Sequence, residues 1–180
     1  LKLTISAACV MILQNMYSPF QEHIHFSGEH YEYTEIALIF HIDVNSAFLS
    51  WESVYRLEKN PQDTDLRTIA CAVGGDSSTR HGIILAKSTL AKKQGVTTGE
   101  PISQALRKCP DLVIVPSRFD FYIQCSRKMM TLLEEYTPDH EKFSIDETFL
   151  DMTDTIHLFG PPLSTANIIR NRIRTSLDFT

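Results

Sequence analysis

The chain has 180 residues, 43% of them hydrophobic and 22% charged, which is enough apolar material for one ordinary domain or two small lobes. Its net charge of −5 argues against a protein that coats nucleic acid through bulk positive charge. Four scattered cysteines, Cys9, Cys71, Cys109 and Cys125, have no CxxC pair and no histidine at ligand spacing, so they read as buried thiols in a reducing compartment and not as a zinc site or a disulfide framework.

Residues 1–16, LKLTISAACVMILQNM, superficially resemble a signal peptide, but the apolar run is too short to span a bilayer and no convincing small-x-small cleavage site follows. The expectation is a cytoplasmic protein, with no membrane partner, whose residues 1–35 form an extension of unknown role. Its His23, His25 and His30 read as part of a solvated tail more readily than as metal ligands. Residues 36–43 are predicted as a buried strand and 46–57 as a short helix with Phe48, Trp51 and Tyr55 at helical spacing. A polar loop follows at 59–67, then strands at 68–75 and 82–86 on either side of the loop DSSTRH, short helices at 87–94 and 102–109, and a strand at 112–116.

Phe119, Tyr122, Ser126, Met129, Leu133 and Tyr136 recur at helical spacing, predicting a long amphipathic helix that ends near Pro138. Residues 141–152, EKFSIDETFLDM, alternate and turn at Asp146 and Glu147, which predicts a β-hairpin. Ala166, Ile169, Ile173 and Leu177 mark a last helix whose other face is read as carrying Arg170, Arg172 and Arg174. The fold class is α+β: a βαββαβ sheet with helices on one face, incomplete at the C-terminus because no strand follows the last helix, with a small α/β insertion after the first strand.

In such a sheet the first strand neighbours the central hairpin strand, so Asp43 can converge with Asp146 and Glu147. Three carboxylates at one sheet edge repel one another unless cations neutralise them. Ligation by oxygen alone suits a hard ion such as Mg²⁺, and two such ions bridged by carboxylates suit phosphoryl or nucleotidyl transfer. Taken alone, the tetrapeptide SIDE reads more readily as an ordinary acidic hairpin turn; Asp43 at the end of the adjacent strand is what shifts the balance toward a metal site.

The segments FHIDVNSAFLSWE and FSIDETFLDM resemble the two metal-binding motifs of Y-family, lesion-bypass DNA polymerases of the DinB-like branch. The resemblance continues through AVGGDSSTRHGIILAKS, KKQGVTTGEPI and RKCPDLVIVPSRFDFY, covering roughly residues 36–180. It implies a polymerase palm at 36–46 and 118–180 and fingers at 47–117, with the thumb and little finger absent. It also implies catalytic, metal-binding roles for Asp43, Asp146 and Glu147, two Mg²⁺ ions, and a backbone-carbonyl ligand at Val44. Phe48 stands where the family has an aromatic steric gate, a ring beneath C2′ of the incoming sugar that leaves no room for a ribose hydroxyl; a helix-core aromatic beside Trp51 is the rival reading. Ala47 departs from relatives that carry a second aromatic there. Lys92, Thr89 and Lys87, with Ser144, are the expected nucleotide-binding residues, though Thr89 and Lys92 stand where many relatives have Tyr and Arg.

The acidity of the whole chain conceals a local bias, because residues 56–118 hold ten basic and six acidic side chains. The expected activity is template-directed DNA synthesis, with primer-template DNA and dNTP as partners and a sliding clamp as a further partner through a region outside this chain. The 180 residues alone are expected to be weakly active or inactive. The competing readings are a palm-fold nucleotidyl cyclase, a truncated non-catalytic nucleic-acid-binding remnant and a phosphohydrolase, the last disfavoured by Asn45 where a second Asp is needed.

Overall fold

The computed structural model describes residues 3–5, 9–14, 37–75 and 82–179, with side chains from residue 37 onward. His23, His25, His30 and the loop at 76–81 lie outside the described residues. Strands β1 (Leu3–Ile5), β2 (Cys9–Gln14), β3 (Leu38–Asp43), β7 (His140–Lys142) and β8 (Glu147–Asp151) form one antiparallel sheet in the order β1-β2-β3-β8-β7. A second sheet, β5-β4-β6, joins β4 (Cys71–Gly74) antiparallel to β5 (Ile84–Lys87) and parallel to β6 (Val113–Pro116). The expected α+β class and the expected pairing of the first predicted strand with the hairpin are both present. No strand is predicted before Ile36, yet β2 lies along the other edge of β3, from Cys9 opposite Asp43 to Gln14 opposite Leu38.

Side chains alternate across a strand, and that period sorts β3 and β8. Phe40, Ile42, Leu150 and Met152 point into the larger core, where they meet Tyr122, Met129 and Leu133 of helix α4 (Phe119–Leu133) and Ile169 and Ile173 of helix α5 (Pro162–Leu177). His41, Asp43, Glu147 and Phe149 fall on the opposite, open face. Helix α1 (Ala47–Lys59) serves both sheets: Ala47, Trp51 and Val54 belong to the larger core, while Leu49 packs with Cys71, Val73 and Val115 of the second sheet. The other face of that sheet is covered by helices α2 (Thr89–Lys93) and α3 (Ile102–Lys108) through Ala91, Ile102 and Ala105.

Three predicted features differ, the first being the hairpin turn, which occupies residues 143–146 so that Glu147 opens β8 instead of lying in the turn. Helix α4 stops at Leu133 and not near Pro138, because Tyr136 N–H closes a tight turn on the Leu133 carbonyl. The residue before a proline is also driven out of helical geometry, and the Thr137 hydroxyl donates to the Asp151 carbonyl at 2.8 Å. Tyr136 is still buried, as its place in the periodic pattern required, but it is buried from a turn. Nor do the three arginines of α5 share one face, since residues two apart on a helix point nearly opposite ways. Arg172 instead pairs with Glu135 at 2.5 Å and lies over the Tyr136 ring. Cys71, Cys109 and Cys125 are buried free thiols, as expected.

The middle of α1 and the end of α5 are tied through Asp65. It accepts from the Ser53 hydroxyl at 2.6 Å and from the Arg67 guanidinium, which also donates to the Asp178 carbonyl. Burial opposes the charge on Asp65, but the bonds from Arg67 and Ser53 prevail and hold its carboxyl down to about 2. Its folded pKa lies below its ordinary value of 3.8, so the stabilisation is complete above that value and is lost as pH falls toward 2. Asp65→Asn should therefore destabilise the protein at pH 7 by about 1–2 kcal/mol, a deficit that closes as pH drops from about 4 to about 2. Urea unfolding across that range checks this, and a deficit independent of pH would contradict it.

Candidate active site

Strand β3 ends where the β7–β8 hairpin turns, and backbone bonds make that meeting. Asp43 and Glu147 are direct cross-strand partners, and the Val44 N–H donates to the Asp146 carbonyl at 3.1 Å. Facing residues in such a pair stand only about 5 Å apart at the β-carbon. Asp43, Val44, Asp146 and Glu147 are thus gathered at one end of the sheet, on its open side. Burial pushes the Asp43 carboxyl above its ordinary range, and the negative charges of Asp146 and Glu147 push it further, with His41 opposing.

Each hairpin carboxylate is steadied by a neighbour. The Ser144 hydroxyl donates to Asp146 Oδ1 at 2.7 Å, and the Asp146 N–H donates back to that hydroxyl at 3.3 Å. Glu147 Oε1 lies 2.5 Å from His41 Nε2, and the His41 ring stacks on Phe149 with 4.5 Å between centroids. Among the described residues no three such side chains close into a ligand cage; Glu147 is turned toward His41 and Asp146 toward Ser144. The donor set still fits a hard divalent ion, because every group is an oxygen, and a cation would offset both the burial and the like-charge repulsion that raise Asp43.

Ser46 adopts left-handed backbone geometry (φ 47°), unusual for a residue other than glycine, and this tight turn leads directly from Asp43 into α1. Phe48 is consequently presented from the first turn of the helix, only half-buried. One face of its ring lies on Tyr122, with centroids 4.8 Å apart and planes 12° from parallel, while Phe119 meets it edge-on at 5.7 Å. Trp51 is also a neighbour, at 6.0 Å, so the core contact and a partly open ring coexist.

The other expected residues stand apart from the carboxylates. Thr89 and Lys92 are exposed on α2, three residues apart and so on adjoining parts of one helix face, while the Lys87 ammonium donates to the Thr98 hydroxyl at 2.8 Å. Among the described residues, none of the three bonds to Asp43, Asp146 or Glu147. Ser144, expected at the nucleotide, is engaged with Asp146. His41 was not among the predicted site residues, although its place two residues before Asp43 puts it on the same face of the strand. Tyr122 read only as one position in a core stripe, and nothing in the sequence pairs it with Phe48.

Residues 42–180 match the model of the impB/mucB/samB family. The chain is 49% identical over 143 residues to a DNA polymerase IV of Clostridium acetobutylicum, an alignment covering 79% of this chain and 36% of the relative, and 42% identical to DNA polymerase IV 1 of Bacillus subtilis, covering 78% and 32%. It therefore spans about a third of the length of these curated relatives. Among solved structures it resembles DinB from Sulfolobus solfataricus (TM-score 0.66, 26% identity) and an insertion ternary complex of Dbh DNA polymerase (TM-score 0.68, 27% identity), each likeness covering 79% of this chain and 40% of the other.

Burial of Asp43, with the like charges beside it, has a measurable cost. Its folded pKa is raised, so the ionised carboxylate disfavours the folded state at neutral pH, and the penalty disappears as pH falls to the ordinary value of 3.8, where the unfolded chain is also largely protonated. In metal-free buffer Asp43→Asn should raise the melting temperature at pH 7, with the gain shrinking toward zero near pH 4. An unchanged or lower melting temperature at pH 7 would contradict this cost of burying Asp43 beside Asp146 and Glu147.

Proposed function

Because the chain belongs to the impB/mucB/samB family, we propose that it supplies the palm and fingers of a lesion-bypass DNA polymerase, which transfers a nucleotide from a dNTP to a primer 3′-hydroxyl. The observation that carries this reading is the pairing of Asp43 with Glu147, fastened by the Val44 to Asp146 backbone bond. The sheet of β3, β8 and β7 with α4 and α5 corresponds to the palm, residues 36–46 and 118–180. The second sheet, with α2 and α3, corresponds to the fingers, residues 47–117, although α1 packs into both cores.

Asp43, Asp146, Glu147 and the Val44 carbonyl would hold two Mg²⁺ ions, which when bound lower the pKa of the attacking hydroxyl and neutralise the triphosphate. The chain's own residues do the rest. Glu147 orients the primer hydroxyl, and Ser144 acts through Asp146 at the nucleotide. Phe48 rejects a ribose 2′-hydroxyl by clash, its ring backed by Tyr122 so that it cannot easily retreat. Lys92 and Thr89, with Lys87 nearby, offer the triphosphate a point charge and a hydroxyl in place of a bidentate guanidinium. Primer-template DNA is the macromolecular partner, and a sliding clamp would engage other segments of the polymerase. No helix of the described residues is long and apolar enough to cross a membrane.

Two substitutions in the full-length polymerase test the assignment by single-nucleotide primer extension. Asp146→Asn combined with Glu147→Gln should lower dNTP incorporation more than about 100-fold, beyond the loss typical of residues that merely support metal ligands; near-normal incorporation would reject the metal site. Phe48→Ala should raise ribonucleotide use relative to deoxyribonucleotide use at least about tenfold, equivalent to about 1.4 kcal/mol of discrimination. An unaltered ratio would reject the gate.

A further inference from the structure

Glu52 lies one helical turn beyond Phe48 on α1, is 0% exposed, and touches none of the groups assigned to the chemistry. Both of its carboxylate oxygens are engaged. The Tyr122 hydroxyl donates to Oε1 at 2.8 Å, and the Arg118 guanidinium donates to Oε2. Arg118 is the residue immediately before α4, and its guanidinium lies 4.5 Å from the centre of the Tyr55 ring, so α1 also grips it from a second side. Burial keeps the Tyr122 phenol well above its ordinary pKa, so it remains a donor.

A carboxylate withdrawn from water is costly and persists only when its partners offset that cost, whereas an apolar side chain of similar size would fill the same space without it. What an apolar residue cannot do is fix a direction. Stacked rings tolerate lateral sliding, while a hydrogen bond to a charged oxygen is short and directional. The ring that Glu52 orients is the ring on which Phe48 lies, and Phe119 closes the corner, meeting Tyr122 and Phe48 edge-on at 5.7 Å from each.

We propose that Glu52, held by Arg118, is a positioning residue for sugar selection: it fixes Tyr122, and Tyr122 fixes the plane that Phe48 presents to C2′ of the incoming nucleotide. The inference rests on the reading of Phe48 as the steric gate. It assigns part of the discrimination between ribo- and deoxyribonucleotides to a buried carboxylate and its partly exposed arginine partner, one helical turn behind the gate.

The test compares kcat/KM for a dNTP with that for the matching rNTP in the full-length polymerase, for Tyr122→Phe, Glu52→Gln, Glu52→Leu and Phe48→Ala, and for Glu52→Leu in the Phe48→Ala background. Tyr122→Phe removes one hydroxyl and keeps the stack, so it should fold and should lower the discrimination about tenfold, with dNTP turnover changed less than about threefold. Glu52→Leu should do the same or more, and Glu52→Gln, which still accepts from Tyr122, should restore most of the selectivity. In the Phe48→Ala background Glu52→Leu should have no further effect on the ratio, a coupling that a general loss of stability would not produce. Wild-type discrimination in both Tyr122→Phe and folded Glu52→Leu, alongside reduced discrimination in Phe48→Ala, would overturn the proposal and leave the gate standing. If Phe48→Ala itself leaves the ratio unchanged, the gate and the proposal fall together.

Discussion

The site depends on one antiparallel pairing, β3 against β8. It places Asp43 opposite Glu147 and lets the Val44 amide close on the Asp146 carbonyl, so three carboxylates from segments about a hundred residues apart occupy one sheet end. Because side chains alternate, the same pairing sends Phe40, Ile42, Leu150 and Met152 into the core. A one-residue slip would bury the carboxylates and expose the core. The hydrophobic face thus sets the register, and the register sets the acidic cluster.

A second constraint lies in α1. It begins at a left-handed Ser46, directly after the carboxylate end of β3, and runs between the two cores. Phe48 is held in an aromatic corner formed by Trp51, Phe119 and Tyr122, and behind that corner is the Glu52–Arg118 pair. The Asp43 carboxylate and the Phe48 ring therefore share a strand-to-helix turn of a few residues. That closeness is geometrically apt for a nucleotide whose phosphates and sugar are recognised together.

Elements with a strong period were legible in the sequence: β3 and α5 form where periodicity predicts, the hairpin forms with its turn shifted ahead of Glu147, and Asp43, Asp146 and Glu147 fall together as βαββαβ topology requires. The end of α4 was not, because the buried Tyr136 continues the helical pattern even though the backbone has already turned. Strand β2 was missed because a short apolar run such as CVMILQ reads alike as strand or as part of a signal-like segment, and only pairing with β3 decides between them. His41 with Glu147 and Glu52 with Tyr122 and Arg118 are contacts between residues 106, 70 and 66 positions apart. No local pattern announces them, and a lone glutamate on a helix reads first as a surface residue. Likewise the arginines of α5 looked like a basic face until Arg172 was found paired with Glu135.

The central claim is that the carboxylate cluster exists to hold divalent cations beneath a nucleotide. Soaking crystals with Mn²⁺ and a dNTP and recording anomalous diffraction tests it most directly. Mn²⁺ density is expected between the Asp43 and Asp146 carboxylates, with Glu147 drawn toward it and the sugar resting against Phe48. Nucleotide bound elsewhere, or no Mn²⁺ at these carboxylates, would contradict it.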